Sequence, residues 1–372
     1  MADEDFVVTP WEVRGKVDYE KLVEKFGTQR ITSDLLQRWE KHAPLHPMLR
    51  RGVFYSHRDF DWALEMYEKG NRFYLYTGRG PSGHTHIGHM MPWMFTRHMQ
   101  EVFKVKLYFQ LTDDEKFVFN DSLTREQVRE YAYENALDLI ALGFEPHNTK
   151  IFLDTEYIHT LYPIAIEVAK RVTFSTAKAV FGFENSNNIG EIFYTSMQAV
   201  PAFLGSVREG KNVPCVIPCA IDQDPHFRVA RDVAEQAGYY KPAMFYCKML
   251  PSLSGGDKMS SSAPGSAIYT VDTQKEARKK IMNAFTGGCA TVQEQREKGA
   301  NPEVCAVFAY FFNIFEEDGA RLAELDQQCR TGKILCGECK GRLAERVLAF
   351  LKTHQERREK AKDRLDEYML RD

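Results

Sequence analysis

The stretch Phe73-Tyr74-Leu75-Tyr76-Thr77-Gly78-Arg79-Gly80-Pro81-Ser82-Gly83-His84-Thr85-His86-Ile87-Gly88-His89 decides the reading of this chain. Its first five residues are aromatic, apolar or β-branched, which suits a buried parallel strand. Gly78, Gly80 and Gly83 then allow a sharp turn and a close approach of backbone to ligand. A helix opening at His86 offers unpaired N–H groups and the positive end of a dipole, a setting for phosphate. His86 and His89, three apart in a first helical turn, project to one side, where imidazoles donate to phosphate oxygens whose charge is moving. Gly88 between them leaves room for a flat base or ribose. The stretch reads as a nucleotide site, although a lone His-x-Gly-His also arises from two ordinary helical histidines.

A second pattern lies far downstream. Lys258-Met259-Ser260-Ser261-Ser262 sits in a run from Ser252 to Ser266 that is rich in Ser, Gly and Pro and has no apolar periodicity. Such a run reads as a mobile loop. Its lysine reaches a triphosphate when the loop closes, Met259 anchors the loop, and the serine hydroxyls add donors. A plain serine-rich linker would look the same. The conjunction decides: a glycine turn with His-x-Gly-His on the first strand-to-helix unit, and Lys-Met-Ser-Ser-Ser after the last strand, together resemble the class I aminoacyl-tRNA synthetases.

At 372 residues the chain accommodates one sizeable core plus a smaller second unit. A net charge of -3 argues against a strongly basic nucleic-acid binder, so any RNA contact is a local patch, and DNA is not an expected partner. No apolar run of about 18 residues predicts a membrane span. The opening Met-Ala-Asp-Glu-Asp lacks the apolar core of a leader, which predicts a cytoplasmic protein. The eight cysteines are then expected as free thiols. Cys336 and Cys339, with Cys329 upstream, lack the second pair of a zinc site, so no protein-bound metal is predicted.

The polar residues fall where strands should end. A second strand over Val105 to Leu111 leads into Gln110, Thr112, Asp113, Asp114, Glu115 and Lys116. Ligands of an open parallel sheet bind beyond the carboxyl ends of its strands. Another strand, Val213 to Ala220, leads into Asp222, Gln223 and Asp224, which an acidic helix cap would also explain. Between these halves, residues 157 to 210 read as a helical insertion holding Gln198 among apolar neighbours, where a glutamine must find hydrogen bonds. The expected architecture is an α/β fold: a Rossmann-like doubly wound parallel sheet over 73–270 with that insertion, an appendage over 1–72 packed on the active site, and an all-helical region over 271–372. Within the appendage, Thr9 to Val13 reads as strand. Near the C-terminus, Lys352 to Arg364 carries six Lys/Arg against three Asp/Glu, a basic outer face able to meet RNA or simply solvent.

Within the class I synthetases the chain resembles the eukaryotic-type tryptophanyl branch over nearly its whole length. The matching segments include Phe73 to Ser82, Thr112 to Lys116, Phe181 to Phe183, Ala220 to Arg228 and Phe285 to Gly288. The resemblance implies that Tyr76 and Gln110 read the indole ring and that Glu115, Gln198 and Gln223 hold the amino and carboxylate ends of L-tryptophan. It implies that Arg79, His86, His89, Asp222 and Lys258 surround ATP, lined by Thr77, Gly78, Gly80, Gly88, Met259, Ser260 and Ser261, with Mg2+ accompanying the phosphates. It further implies a homodimer formed through the inserted helices and a helical anticodon-binding region for tRNA(Trp). Ser82-Gly83-His84-Thr85 is one residue shorter than the usual eukaryotic turn, and His84 has no assigned role. A tyrosyl relative, a small-molecule adenylyltransferase and a non-catalytic relative are the competing readings.

Overall fold

In a computed structural model, residues 6–8, 13–15, 17–255 and 265–372 are described. Seven strands form one sheet in the order Gln29–Arg30, Phe54–Arg58, Ala243–Cys247, Cys215–Ala220, Tyr74–Arg79, Leu107–Leu111, Thr149–Leu153. The last five are mutually parallel. Along the central strand the side chains alternate between two cores. Phe73 and Leu75 join one with Trp93, Phe95 and Phe245, while Tyr74 and Tyr76 join the other with Phe203, Ile217 and Tyr246. Both faces of the sheet are thus covered, as its continuous apolar strands require.

One pairing in this sheet opens the cleft. Tyr74–Arg79 and Cys215–Ala220 are ladder partners only at Tyr74↔Cys215 and Leu75↔Val216. Tyr74–Arg79 stays paired to Leu107–Leu111 through Arg79. Beyond Leu75 the two strands therefore part, where the chain reverses its direction of winding across the sheet, and a crevice forms at their carboxyl ends. Pro218, with no N–H to give, sits in the parted stretch, and the Thr77 hydroxyl reaches its carbonyl at 3.4 Å.

The sheet is mixed rather than wholly parallel. Phe54–Arg58 runs antiparallel to Ala243–Cys247, and Gln29–Arg30 antiparallel to Phe54–Arg58, so the segment before residue 72 supplies part of the sheet as well as packing beside it. Of the stretch Thr9 to Val13, only Val13 is among the described residues, in the strand Val13–Gly15. Between Thr149–Leu153 and Cys215–Ala220 come four helices, Ile158–Ala169, Phe174–Phe181, Ile189–Met197 and Pro201–Glu209. The run from Leu161 to Lys178 reads as one helix in sequence but is two, because Thr173 caps the second by accepting from the Thr176 amide.

After residue 271 every described element is helical. The long helix Cys336–Lys362 packs against Gln274–Met282 and against Arg125–Ala141, so the C-terminal region lies directly on the sheet-bearing part. The chain end returns to that part too: the Leu370 amide donates to the Ile151 carbonyl at 2.7 Å. No helix among the described residues is long and apolar enough to cross a membrane.

Candidate active site

The crevice is a cleft of about 600 Å³. The predicted site residues that are described, Tyr76, Thr77, Gly78, Arg79, Gly80, His86, Gly88, His89, Gln110, Glu115, Gln198, Asp222 and Gln223, all line it. Lys258, Met259, Ser260 and Ser261 lie outside the described residues. The ends of their segment are brought together: the Leu253 amide donates to the Ser266 carbonyl at 2.8 Å. Its downstream end runs beside the glycine turn, where Ile87 N–H donates to Ile268 O at 3.0 Å and Thr270 N–H to Thr85 O at 2.9 Å.

Two glycines of the turn are held to their identity by close approach. A Cβ on Gly78 would stand 2.8 Å from the Gln110 carbonyl, and one on Gly80 would stand 2.0 Å from Lys116 Cε and 2.8 Å from Glu115 Oε2. The turn is braced from behind. Arg79 donates to the carbonyls of Gly83 and His84, each at 3.3 Å, and Asn135 donates to Gly83 at 3.1 Å. His84 itself packs its ring edge against Tyr131, 5.6 Å between centroids, which gives this extra imidazole a packing role.

His86 caps the helix Ile87–Phe103, and its ring stacks on that of His89 with centroids 3.4 Å apart. Arg79 Nη1 lies 2.8 Å from His89 Nε2. An arginine only donates, so Nε2 of His89 accepts and its ring proton sits on Nδ1. With the proton there, the 3.3 Å approach of the His86 N–H to Nδ1 sets donor against donor and is a contact rather than a hydrogen bond. Burial lowers the Arg79 guanidinium to about 10, with the Asp138 and Glu115 charges opposing that shift. It stays cationic near neutral pH, a fixed positive group at the mouth of the turn.

The opposite end of the cleft is a chain of neutral donors and acceptors. Tyr194 donates to Gln198 Oε1, Gln198 Nε2 donates to the Tyr76 hydroxyl at 2.8 Å, and Tyr76 donates to Gln110 Oε1 at 2.5 Å. Gln110 Nε2 in turn donates to both carboxyl oxygens of Asp154, at 3.0 and 2.9 Å. Each amide orientation is fixed by its neighbour, which leaves lone pairs of Gln110 Oε1 and the Tyr76 oxygen to meet an N–H donor in the cleft. Asp154 is fully buried, and burial together with the adjacent Asp114 charge drives its carboxyl well above the usual range. Glu115 accepts from Thr112 at 2.6 Å and pairs with Lys116, so a carboxylate and an ammonium share the wall between the two ends.

The strand Cys215–Ala220 delivers the last group. Asp222 and Gln223 sit in a 3-10 turn, Ile221–Gln223, lining the cleft, while Asp224 points away from it. Arg58 Nε and Nη2 hold the Asp224 carboxylate at 2.8 and 3.1 Å, and Tyr246 donates to it. The acidic run thus divides into two residues at the cleft and one that anchors the helix Asp224–Ala234. Sequence reasoning missed Lys248, which also lines the cleft and stands 5.7 Å over the Tyr19 ring. It follows directly on the strand Ala243–Cys247, so the rule that ligands gather at strand ends could have found it.

The model of tRNA synthetases class I (W and Y) matches residues 68–352. The chain belongs to that family. Among similar proteins, the tryptophan–tRNA ligase of Pyrobaculum aerophilum is 52% identical over 369 residues, 99% of this chain and 98% of that protein. A tryptophanyl-tRNA synthetase from Giardia lamblia superposes with a TM-score of 0.88 at 38% identity, covering 95% of this chain and 96% of its own. One from Encephalitozoon cuniculi, solved with tryptophan bound, gives 0.87 at 36% identity and covers 95% and 98%. The cleft thus joins a cationic, glycine-lined mouth to a polar pocket.

Proposed function

We propose that this chain is a tryptophan–tRNA ligase, with its reacting groups assembled in the cleft between Tyr74–Arg79 and Cys215–Ala220. The observation that carries the reading is the joining, in one cleft, of the Arg79–His86–His89 mouth to the Tyr76–Gln110–Gln198 pocket. Gln110 Oε1 and the Tyr76 oxygen accept the indole N–H, while Glu115, Gln198 and Gln223 hold the ammonium and carboxylate. The tryptophan carboxylate then attacks the α-phosphate of ATP, expelling pyrophosphate and leaving tryptophanyl-adenylate. No protein nucleophile takes part. Positioning and charge stabilisation suffice, from the amides of the glycine turn, the histidines, Arg79 and, on loop closure, Lys258 with Met259, Ser260 and Ser261. In the second step the acyl group passes to the terminal ribose of tRNA(Trp).

Mg2+ would accompany ATP. Glu115 and Asp222 are the carboxylates among the lining residues, and Glu115 is already paired, which fits a metal carried by phosphate oxygens better than a protein cage. There it would offset phosphate charge. The helical region after 271 serves anticodon recognition, and residues 1–72 cover the active site. Ile158, Tyr162 and Ile166, at 41, 49 and 45% exposure, form an apolar stripe on one helix face, with Phe174 nearby in sequence, suited to a second copy of this chain. The cysteines are free thiols, as a reducing cytoplasm would keep them.

ATP–pyrophosphate exchange tests the reading, with tryptophan, tyrosine and a Lys258→Ala control. Exchange with tryptophan alone, lost in the control, is the expected result. Exchange with tyrosine would overturn the pocket assignment, and exchange with neither would overturn the activity.

A further inference from the structure

The basic face read from Lys352 to Arg364 is not continuous. His354 and Arg358 turn inward, at 2% and 7% exposure, into a buried polar cluster between three parts of the chain. At its centre is Asp138, on the helix Arg125–Ala141 and 1% exposed. One carboxyl oxygen receives His354 Nε2 at 2.9 Å and Arg358 Nη1, and the other receives the Thr270 hydroxyl at 3.2 Å. Arg358 also pairs with Glu134 through Nη2. Gln355, one residue on from His354, donates to the carbonyls of Thr270 and Asp272 at 2.8 and 3.0 Å.

Thr270 is the hinge of the arrangement. It is fully buried, and its N–H is already given to the Thr85 carbonyl, the residue before His86. Its hydroxyl has one hydrogen. That hydrogen goes to the Asp138 carboxylate rather than to Thr85 O, because an ionised acceptor makes the stronger bond and Thr85 O is served by the amide. Burial alone would raise the Asp138 carboxyl, but the bond from His354 and the Arg358 charge hold it below the usual range. The segment 268–270 also lies antiparallel to the turn, with a bridge at His86↔Tyr269. One short piece of chain, downstream of Lys258 in sequence, is therefore gripped on one side by the His86 turn. On the other it is gripped by a helix of the C-terminal region.

We propose that the helix Cys336–Lys362 serves amino-acid activation itself: His354, Gln355 and Arg358 are positioning residues which, through Asp138 and Thr270, set the His86 turn and the backbone of residues 268–270 beside it. This rests on the ligase reading above. A helix that served only RNA would need no buried cluster aimed at the nucleotide end of the cleft, and its arginines would face solvent. The tryptophan pocket lies at the other end, so the arrangement sets the rate of activation and leaves amino-acid affinity alone.

The test compares ATP–pyrophosphate exchange, which involves no RNA, with tRNA charging in the full chain. Thr270→Val removes one buried hydroxyl while keeping shape and the backbone bond to Thr85. It is expected to lower kcat for exchange about tenfold or more, since small misplacements of reacting groups are costly, with KM for tryptophan within about twofold. Thr270→Ser, which restores the hydroxyl, should recover most of that loss. Arg358→Lys, which keeps charge but loses the fork, should fall in the same direction with its melting transition retained. Full exchange in Thr270→Val and Arg358→Lys with only charging impaired would assign the helix to RNA and overturn the inference. So would equal loss in Thr270→Val and Thr270→Ser. Absence of tryptophan-dependent exchange in the unmodified chain would instead sink the ligase reading and this inference with it.

Discussion

Tyr76 and Gln110 share a 2.5 Å hydrogen bond in which the phenol is the donor. The same oxygen accepts from Gln198, so removing it strands two buried amide groups at once. An unsatisfied buried polar group costs about 1–3 kcal/mol. Tyr76→Phe is expected to lower kcat/KM for tryptophan in pyrophosphate exchange by about 10- to 100-fold. A change below about threefold would separate this pair from amino-acid recognition.

Asp154 supplies a prediction whose sign follows from its raised carboxyl. In the unfolded chain an aspartate titrates near ~3.9. In the folded state Asp154 keeps its proton to higher pH, because it is buried beside Asp114. Between the two values the folded state binds the extra proton, so stability falls as pH rises. Asp154→Asn has no proton to lose and keeps an oxygen for Gln110. Its melting temperature relative to the parent should be more favourable at pH 8 than at pH 5, and a flat difference would show that Asp154 titrates as in open water.

Arg58 joins three separate segments. Besides its fork on Asp224 it donates to the carbonyls of Phe26 and Gly27, where the helix Tyr19–Phe26 ends in a left-handed glycine. Arg58→Met removes the two-point contact on the buried Asp224 carboxylate and leaves it the half-exposed Arg228, 3.4 Å away, as its cation. A loss of about 2–3 kcal/mol in denaturant unfolding is expected. Arg58→Lys should recover little of it, because an ammonium cannot reproduce the bidentate contact.

Two glycine substitutions should part company. At Gly80 the obstructing atom is the far end of the Lys116 side chain, which can swing aside, carrying the Glu115 pair with it. Gly80→Ala is therefore expected to keep its melting transition while KM for tryptophan rises. At Gly78 the obstruction is the Gln110 backbone carbonyl, which cannot move without its strand. Gly78→Ala should lower the melting temperature as well as activity, and similar melting curves for the two would contradict this account.

What the sequence disclosed, and what it concealed, has a physical pattern. Signals carried by neighbours in the chain were legible, as in the strand, turn and histidine pair from Phe73 to His89. The strand Phe54–Arg58 was not, because Phe-Tyr-Ser-His-Arg lacks apolar alternation. Ser56 and His57 are nonetheless buried, since the strand is held by a partner distant in sequence. The same limit hid the inward turn of Arg358, whose acceptors are Asp138 and Glu134 on another helix. The cleft residues were readable because they crowd the ends of strands, and the contacts that orient them were not.

The pairing of Phe54–Arg58 with Ala243–Cys247 has a consequence for how the molecule is made. Synthesis delivers the first of these strands early, and its neighbour emerges only after the central strands and all four inserted helices have been translated. Until then an edge with unpaired backbone groups waits at the ribosome, open to pairing with other chains. The slowest step in reaching the native sheet should be the capture of this early strand by the late one, a closure across most of the nascent chain.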